Sequence, residues 1–329
     1  MAFVNITADR KAALLPLVAN VCKRSGFNRM CRSWYGGLGV ILMFHRFTNN
    51  PASRVDCAGV VSDIFFDKLL GHIRKNGPEI IHLRNIPQAI AAGRNFVCLT
   101  IDDGYRDNAE IALPILRRHN APATIFIPSG ILDRSLDSWW LQIEEMAKYQ
   151  ADPRAVYKRM IAESTVDPET LEYLRVMFPV NRAELNGRYF MSRSEIKAIA
   201  DDPLIDIGGH TVTHAALKNL PEDQAYREIM QNKLDLQALL GHPVETFAYP
   251  FGNSQACGKR EYMLAMKAGY KIAVTTRDGN IFPRHKKHMT ALPRYSIHGQ
   301  SEYLDIYDMQ KSGIYRLLKS GFRSCFVTE

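Results

Sequence analysis

A chain of 329 residues, 46% hydrophobic and 23% charged, is long enough to bury a barrel-sized core, and its composition is ordinary for a globular protein. Disordered and membrane-spanning classes are thereby excluded. The net charge of +8 suits an anionic membrane surface or a phosphorylated substrate, whereas a nucleic-acid groove is not expected: the densest basic runs, Arg117–His119 and Arg284–His288, are short and lack interleaved aromatics.

The first predicted element is an amphipathic helix around Ala12–Cys22, within an N-terminal helical segment of residues 1–36. It contains Pro16, follows Asp9 and Arg10, and lacks a small-x-small cleavage pattern, so it does not read as a signal peptide. No other stretch approaches the ~20 apolar residues of a transmembrane helix. Gly39–Phe44 reads as a buried strand that ends at His45. A helix over Phe65–Lys75 and a strand at Glu79–Leu83 follow. Phe96–Ile101 is the central strand, because its apolar, β-branched run breaks abruptly into Asp102, Asp103 and Gly104. A helix across Ala109–His119, with Pro114 inside it, leads to a strand at Ala123–Pro128.

The alternation lapses over about 138–190, which reads as a helical insertion with helices near Trp139–Tyr149 and Pro168–Val176. It resumes with a helix at Ser192–Ala200, where Ser192 and Glu195 have capping-box spacing. A strand at Leu204–Ile207 runs into Gly208, Gly209 and His210, and a long helix spans Glu222–Leu240. Strands at Glu245–Tyr249, Lys271–Thr275 and Ala291–Tyr295, with a helix at Arg260–Ala268, complete a domain of residues 37–300. Residues 301–329 form a C-terminal helical tail. About eight short strands alternating with helices predict an α/β fold, a mostly parallel sheet or barrel. The six cysteines (Cys22, Cys31, Cys57, Cys98, Cys257, Cys325) form no C-x-x-C pair, which points to reduced thiols and a cytoplasmic setting.

The unusual polar residues collect at strand ends of one sense. His45, the Asp102-Asp103 pair, His210 and the Tyr249-Pro250-Phe251-Gly252 turn each follow a strand, and in a parallel barrel those ends share one rim. His210 and His214 stand four apart, a spacing that stacks both imidazoles on one face of a helical turn. With a carboxylate from the Asp pair they could share a metal and leave coordination positions open, as catalytic sites do. The other carboxylate can then take a proton from water while backbone N–H groups hold an oxyanion, which is the chemistry of amide or ester hydrolysis.

These residues resemble those of the NodB-type polysaccharide deacetylases, carbohydrate esterase family 4. Thr100–Gly104 is similar to their T-F-D-D-G motif with Ile101 in place of Phe, and His210–His214 to H-S/T-x-x-H. Glu245–Gly252 resembles a third motif in its Y-P-Y/F-G form, and Ile41–Phe47 the early Y-H-R-V element of members whose pieces are reordered. The resemblance implies a distorted (β/α) barrel that removes acetyl groups from N-acetylated sugars with a divalent metal, usually Zn²⁺, with Co²⁺, Ni²⁺ or Mn²⁺ as alternatives. By position it implies Asp102 as base, Asp103, His210 and His214 as metal ligands, and the Phe251 N–H as oxyanion donor. The third motif's arginine is replaced by Ala248, which leaves Arg294 as the candidate to orient Asp102. The general acid is His45 by the reordered pattern or His298 by the other, with His45 the closer match. Tyr105 and Arg106 are expected at the rim, and Trp139 and Trp140 either against a sugar ring or in lid packing.

The implied enzyme is an N-deacetylase of a cell-surface glycan or its lipid-linked precursor, cytoplasmic and peripheral at the inner membrane, in contact with anionic lipid. Two other readings use the same residues: an Fe(II) oxygenase on the two-His-one-carboxylate set, and an inactive glycan-binding barrel. Neither gives Asp102 a task.

Overall fold

The computed structural model describes residues 8–50, 59–147, 181–298 and 302–322, together with 172, 176, 179, 324 and 326–328. Ten strands occur among the described residues: β1 (Gly39–Phe44), β2 (Arg46–Thr48), β3 (Val60–Ser62), β4 (Glu79–Ile80), β5 (Phe96–Ile101), β6 (Ala123–Ile127), β7 (Ile205–Gly209), β8 (Thr246–Ala248), β9 (Ile272–Val274) and β10 (Tyr295–Ser296). Every residue of β1 and β5 is buried, and the two pair in parallel from Gly39 with Phe96 to Phe44 with Ile101. Continuous apolar runs are what strands covered on both faces require.

Eight strands form one parallel sheet in the order β10-β1-β5-β6-β7-β8-β9, with β4 beside the first residues of β5. The segment leading into β10 brings the sheet round on itself: Leu292 bridges Val274 of β9, and Tyr295 pairs with Leu42 of β1. The result is an α/β fold, a distorted (β/α) barrel. Alternate residues set its two faces. Ile41, Phe96, Cys98, Phe126 and Val274 belong to one apolar cluster, whereas Val40, Leu42, Val97, Leu99 and Ile101 belong to the cluster that includes the helices. Thr100 and Asp102 continue the Phe96-Cys98 series.

Several predicted boundaries shift. The Ala291–Tyr295 strand divides, because Leu292 bonds toward β9 while the amide of Ile297 bonds to Met43 of β1, and Pro293 between them has no N–H to pair. The Glu79–Leu83 strand shortens to β4 as a 3₁₀ turn begins at Leu83. The predicted helix over Ala109–His119 is a π turn at Asn108–Ala112 that passes into an α-helix at Leu113–Arg118; Pro114 has no amide for the preceding turn, and the ladder adjusts ahead of it. The short ribbon of β2 and β3 was not predicted, since three-residue strands carry no readable period.

Other signals hold as read. Ser192 and Glu195 form the capping box of helix Arg193–Ala200, and helix Glu222–Leu240 ends on Gly241 in the left-handed region, φ 76°. Within the insertion, Trp139–Ala147 and Arg182–Tyr189 are helical; the predicted helix Pro168–Val176 lies outside the described residues except for Glu172 and Val176. The N-terminal helices Ala8–Arg24 and Phe27–Tyr35 pack on the C-terminal helices Leu304–Lys311 and Ile314–Lys319 through Ala19, Cys31, Ile306, Met309 and Ile314. Among the described residues no helix is long and apolar enough to cross a membrane.

Candidate active site

The strand ends of one sense meet at a cleft of about 520 Å³ lined by His45, Asp102, Asp103, His210, His214, Phe251 and His298 among others. Asp102 is anchored by its amide, which donates to the Phe44 carbonyl of the neighbouring strand at 2.9 Å. Asp103 and Gly104 then take φ of 76° and 70°, a left-handed pair that reverses the strand so that both carboxylates reach one cavity. Seven non-glycine residues have positive φ among the described residues, and four of them, Asp103, Thr211, His214 and Phe251, lie here. Backbone strain concentrated this way marks a place where geometry is imposed on the chain.

Asp102 is 2% exposed and receives Nη1 and Nη2 of Arg294, each at 2.7 Å, in a bidentate pair. Arg294 is itself fully buried; its Nε donates to the Thr275 carbonyl at 2.9 Å, and Nη1 also donates to Thr100 Oγ1 at 3.0 Å. Burial pushes the Asp102 carboxyl up, but the guanidinium outweighs it and holds the group below the usual carboxylate range. Thus the arginine missing beside Tyr249 is supplied in space by Arg294.

Asp103 Oδ1 lies 3.3 Å from His210 Nε2 and 3.2 Å from His214 Nε2. His210 Nδ1 donates to the Ala248 carbonyl at 2.7 Å, so its Nε2 lone pair faces Asp103. Burial lowers the His214 pKa, and although burial pushes the Asp103 carboxyl up, the neighbouring His214 and His210 outweigh it and hold that group well below the usual carboxylate range. Asp103 Oδ1 is nevertheless buried with no well-aligned donor. Three lone-pair donors converging within 4.8 Å, one of them orphaned, fit a divalent cation.

The histidine spacing works differently from the helical turn predicted for it. His210–His214 is an irregular loop in which Thr211 and His214 have φ of 62° and 57°, and the rings meet edge to face at 4.9 Å. Helix Glu222–Leu240 holds that loop. The Glu228 carboxylate accepts the amides of Val212 and Thr213, both at 2.9 Å. Fully buried Asn232 accepts the His210 amide at 3.0 Å and donates to the carbonyls of Ile127 and Thr211. These supports were missed; the available signal was a pair of polar residues four apart on the otherwise buried face of a helix.

His45 also faces the cleft. Its carbonyl is fastened by Asn108 Nδ2 at 2.8 Å, and its Nδ1 is buried without a hydrogen-bond partner. Tyr105 lines the wall and accepts Trp140 Nε1 at 2.8 Å, while Trp140 packs 4.8 Å from the His214 ring, so the insertion helix closes one side. The C-terminal helix closes another with Tyr315 and Lys319. Arg46, next to His45 and given no role by the sequence, pairs with Glu144 at 2.7 Å and faces the Tyr105 ring at 5.2 Å.

Four expected positions fall elsewhere. Arg106 turns away to Glu195 and the Phe190 carbonyl, because the reversal at Asp103-Gly104 sends Tyr105 inward and its neighbour outward. The Tyr249 side chain is buried beside Phe247 and donates to the Thr290 carbonyl at 2.9 Å, away from the cleft. Pro250 and Gly252 shape the turn without lining the cavity, and of this motif Phe251 reaches it.

Known proteins are similar to this chain. YxkH of Bacillus subtilis (strain 168), a protein assigned to the polysaccharide deacetylases, is 21% identical over 243 residues, 73% of this chain and 64% of YxkH, so the chain spans less than two thirds of that relative. The deacetylase PplD of Streptococcus pyogenes, solved with acetate, superposes with a TM-score of 0.55 at 19% identity, covering 84% of this chain and 96% of PplD. IcaB of Ammonifex degensii gives 0.58 at 18% identity, covering 83% and 97%. Those structural likenesses establish the fold. The polysaccharide deacetylase family profile matches residues 90–273, which include Asp102, Asp103, His210 and His214, and the chain belongs to that family.

Proposed function

We propose that this chain is a metal-dependent hydrolase that removes the acetyl group from an N-acetylated sugar of a cell-surface glycan or its lipid-linked precursor, working in the cytoplasm at the inner membrane. The observation that carries the reading is the pairing of roles in one cleft. Asp102 is clamped by Arg294 while the adjacent Asp103 is left open to two histidine lone pairs. The four described cysteines are unpaired, in keeping with a reducing compartment.

Asp103 Oδ1 and the Nε2 atoms of His210 and His214 would hold the cation, Zn²⁺ first by donor type, and when bound it supplies Lewis-acid polarisation of the acetyl carbonyl. Asp102, ionised and fixed by two hydrogen bonds, takes the proton of the attacking water. The water oxygen adds to the acetyl carbon, and the Phe251 amide is the donor assigned to the oxyanion. His45 hands a proton to the sugar nitrogen as the C–N bond breaks, and acetate and the free amino sugar leave. The orphaned Nδ1 of His45 supports it over His298 as the acid.

The test is acetate release by zinc-loaded protein from a panel of N-acetylhexosamine donors, free and linked to a lipid pyrophosphate. Asp102→Asn and His210→Ala should each lose at least ~10²-fold in rate. Undiminished release in both variants would sink the mechanism. Loss in His45→Ala with retention in His298→Ala assigns the acid; the reverse pattern transfers the role to His298.

A further inference from the structure

Helices Ala8–Arg24 and Phe27–Tyr35 bury one side against the C-terminal helices and leave a second apolar stripe bare. On the first, Leu14, Leu17, Val18 and Val21 recur at i, i+3, i+4 and i+7 with exposures of 45%, 61%, 38% and 59%. On the second, Phe27, Met30 and Trp34 recur at i, i+3 and i+7 with exposures of 37%, 60% and 79%. Stripes at helical spacing on an outer face are not scattered surface residues; they form a surface made for an apolar neighbour. The charge around them is one-sided. From Arg10 to Gly37 the chain carries Arg10, Lys11, Lys23, Arg24, Arg29 and Arg32 and no acidic residue. Arg24, Arg29 and Arg32 are exposed.

We propose that this face is a peripheral docking surface for an anionic lipid bilayer, with Leu17, Val21, Met30 and Trp34 entering the headgroup boundary and the flanking cations meeting lipid phosphates. Apolar helical stripes flanked by cations, with an aromatic among them, are the pattern of interfacial helices. A second copy of the chain is a poorer occupant, because a two-fold contact would set the exposed cations Arg24, Arg29 and Arg32 against their own copies. The face is also joined to the cleft. The Tyr35 carbonyl packs so closely on Gly313 that a Cβ there would lie 2.1 Å from it, and Gly313 starts the helix whose Tyr315 and Lys319 wall the active site. Docking would bring the cleft to the bilayer surface, where a lipid-linked sugar is presented. The purpose rests on the reading above, but the docking itself does not.

The test is flotation of the full chain, without substrate, on vesicles of phosphatidylcholine alone or with roughly one third phosphatidylglycerol. Binding is expected on the anionic vesicles and should weaken with salt. The pairs Leu17→Glu with Val21→Glu and Met30→Glu with Trp34→Glu should each lower partitioning at least ~10-fold, while Met263→Glu with Met266→Glu, on exposed positions of helix Lys259–Lys267, should bind as the parent does. Acetate release on a soluble donor, equal in all proteins, verifies that the variants fold; if the parent releases no acetate, that reading fails by itself and circular dichroism verifies the folds instead. The docking proposal is overturned if the parent ignores anionic vesicles, if all three pairs bind alike, or if sedimentation shows an oligomer that the two helix pairs abolish without any vesicle binding.

Discussion

Asp102 and Arg294 lie 192 residues apart in the chain and form a fully desolvated, bidentate pair at the mouth of the barrel. Removing one partner of such a pair leaves the other charge buried without compensation. Arg294→Ala is therefore expected to cost ~3–5 kcal/mol in urea unfolding, and Arg294→Lys, which cannot reproduce the planar fork, to lose activity more than stability. An Arg294→Ala protein as stable as the parent would show that the pair does not hold the rim. The acids themselves were legible from sequence, because an apolar run that stops at two carboxylates and a glycine has few structural uses. Their separate tasks were not readable from residue type; they come from what each faces, which is set by the left-handed turn at Asp103. Arg294 was legible as a candidate only, since nothing local ties it to β5. Asp107, on the same turn, was not singled out. Burial pushes its carboxyl up to about 7 even with Arg46 beside it. In the unfolded chain it ionises near 3.9, so over the interval between, the folded state holds a proton that the unfolded state has released. The contribution of Asp107 to stability is then greatest below about pH 4 and falls as pH rises from about 4 to about 7. Urea midpoints of Asp107→Asn should show a flatter profile across that interval than the parent, and parallel profiles would contradict the assignment.

Helix Glu222–Leu240 shows how an element can be read correctly and its function still missed. Its start, its length and its glycine stop follow from local chemistry, and the structure matches them residue for residue. Its contribution to the site comes from Glu228 and Asn232, which satisfy backbone groups of a loop that sequence periodicity presents as a helical turn. Those partners exist only once β7 and the helix have packed, so the single trace beforehand is a polar pair on a buried face. Gly209 belongs to the same contact. A Cβ there would stand 2.2 Å from the Tyr270 hydroxyl and 2.5 Å from Asn232 Oδ1, which explains a glycine at the strand end leading into His210. Asn232→Ala would strip the His210 amide and two carbonyls of their partners. It should cost ~1–3 kcal/mol in stability and weaken zinc binding ~10–100-fold in a chelator competition. Unchanged zinc affinity would mean that the loop holds its shape without the helix.

At the scale of the whole molecule, the two chain ends read as separate segments on either side of a barrel, yet they pack as one layer. Asn20 and Lys23 bond to Asp305, and Asn280 Nδ2 reaches the carbonyls of Gly36, Gln310 and Lys311, tying both ends to the barrel wall. Periodicity predicts each helix by itself but carries no information about which distant helix covers it, so the alternation of strands and helices was readable and this layer was not. The layer has two dependents. It buries Ile306, Met309 and Ile314, each at most 1% exposed, and it backs the helix whose Tyr315 and Lys319 close the cleft. Deleting residues 1–35 would bare that apolar patch and loosen the cleft wall together. The shortened chain should melt several degrees lower, since ~1 kcal/mol corresponds to ~2–4 °C in a domain of this class, and it should self-associate at concentrations where the parent does not. On soluble N-acetylhexosamine donors its KM should rise while kcat changes less, because His45, Asp102, Asp103 and His210 follow the ends of strands that the deletion leaves in place. A shortened chain with the parent's melting temperature, dispersity and KM would show that the N-terminal helices are an appendage, and that the C-terminal helices hold the wall unaided.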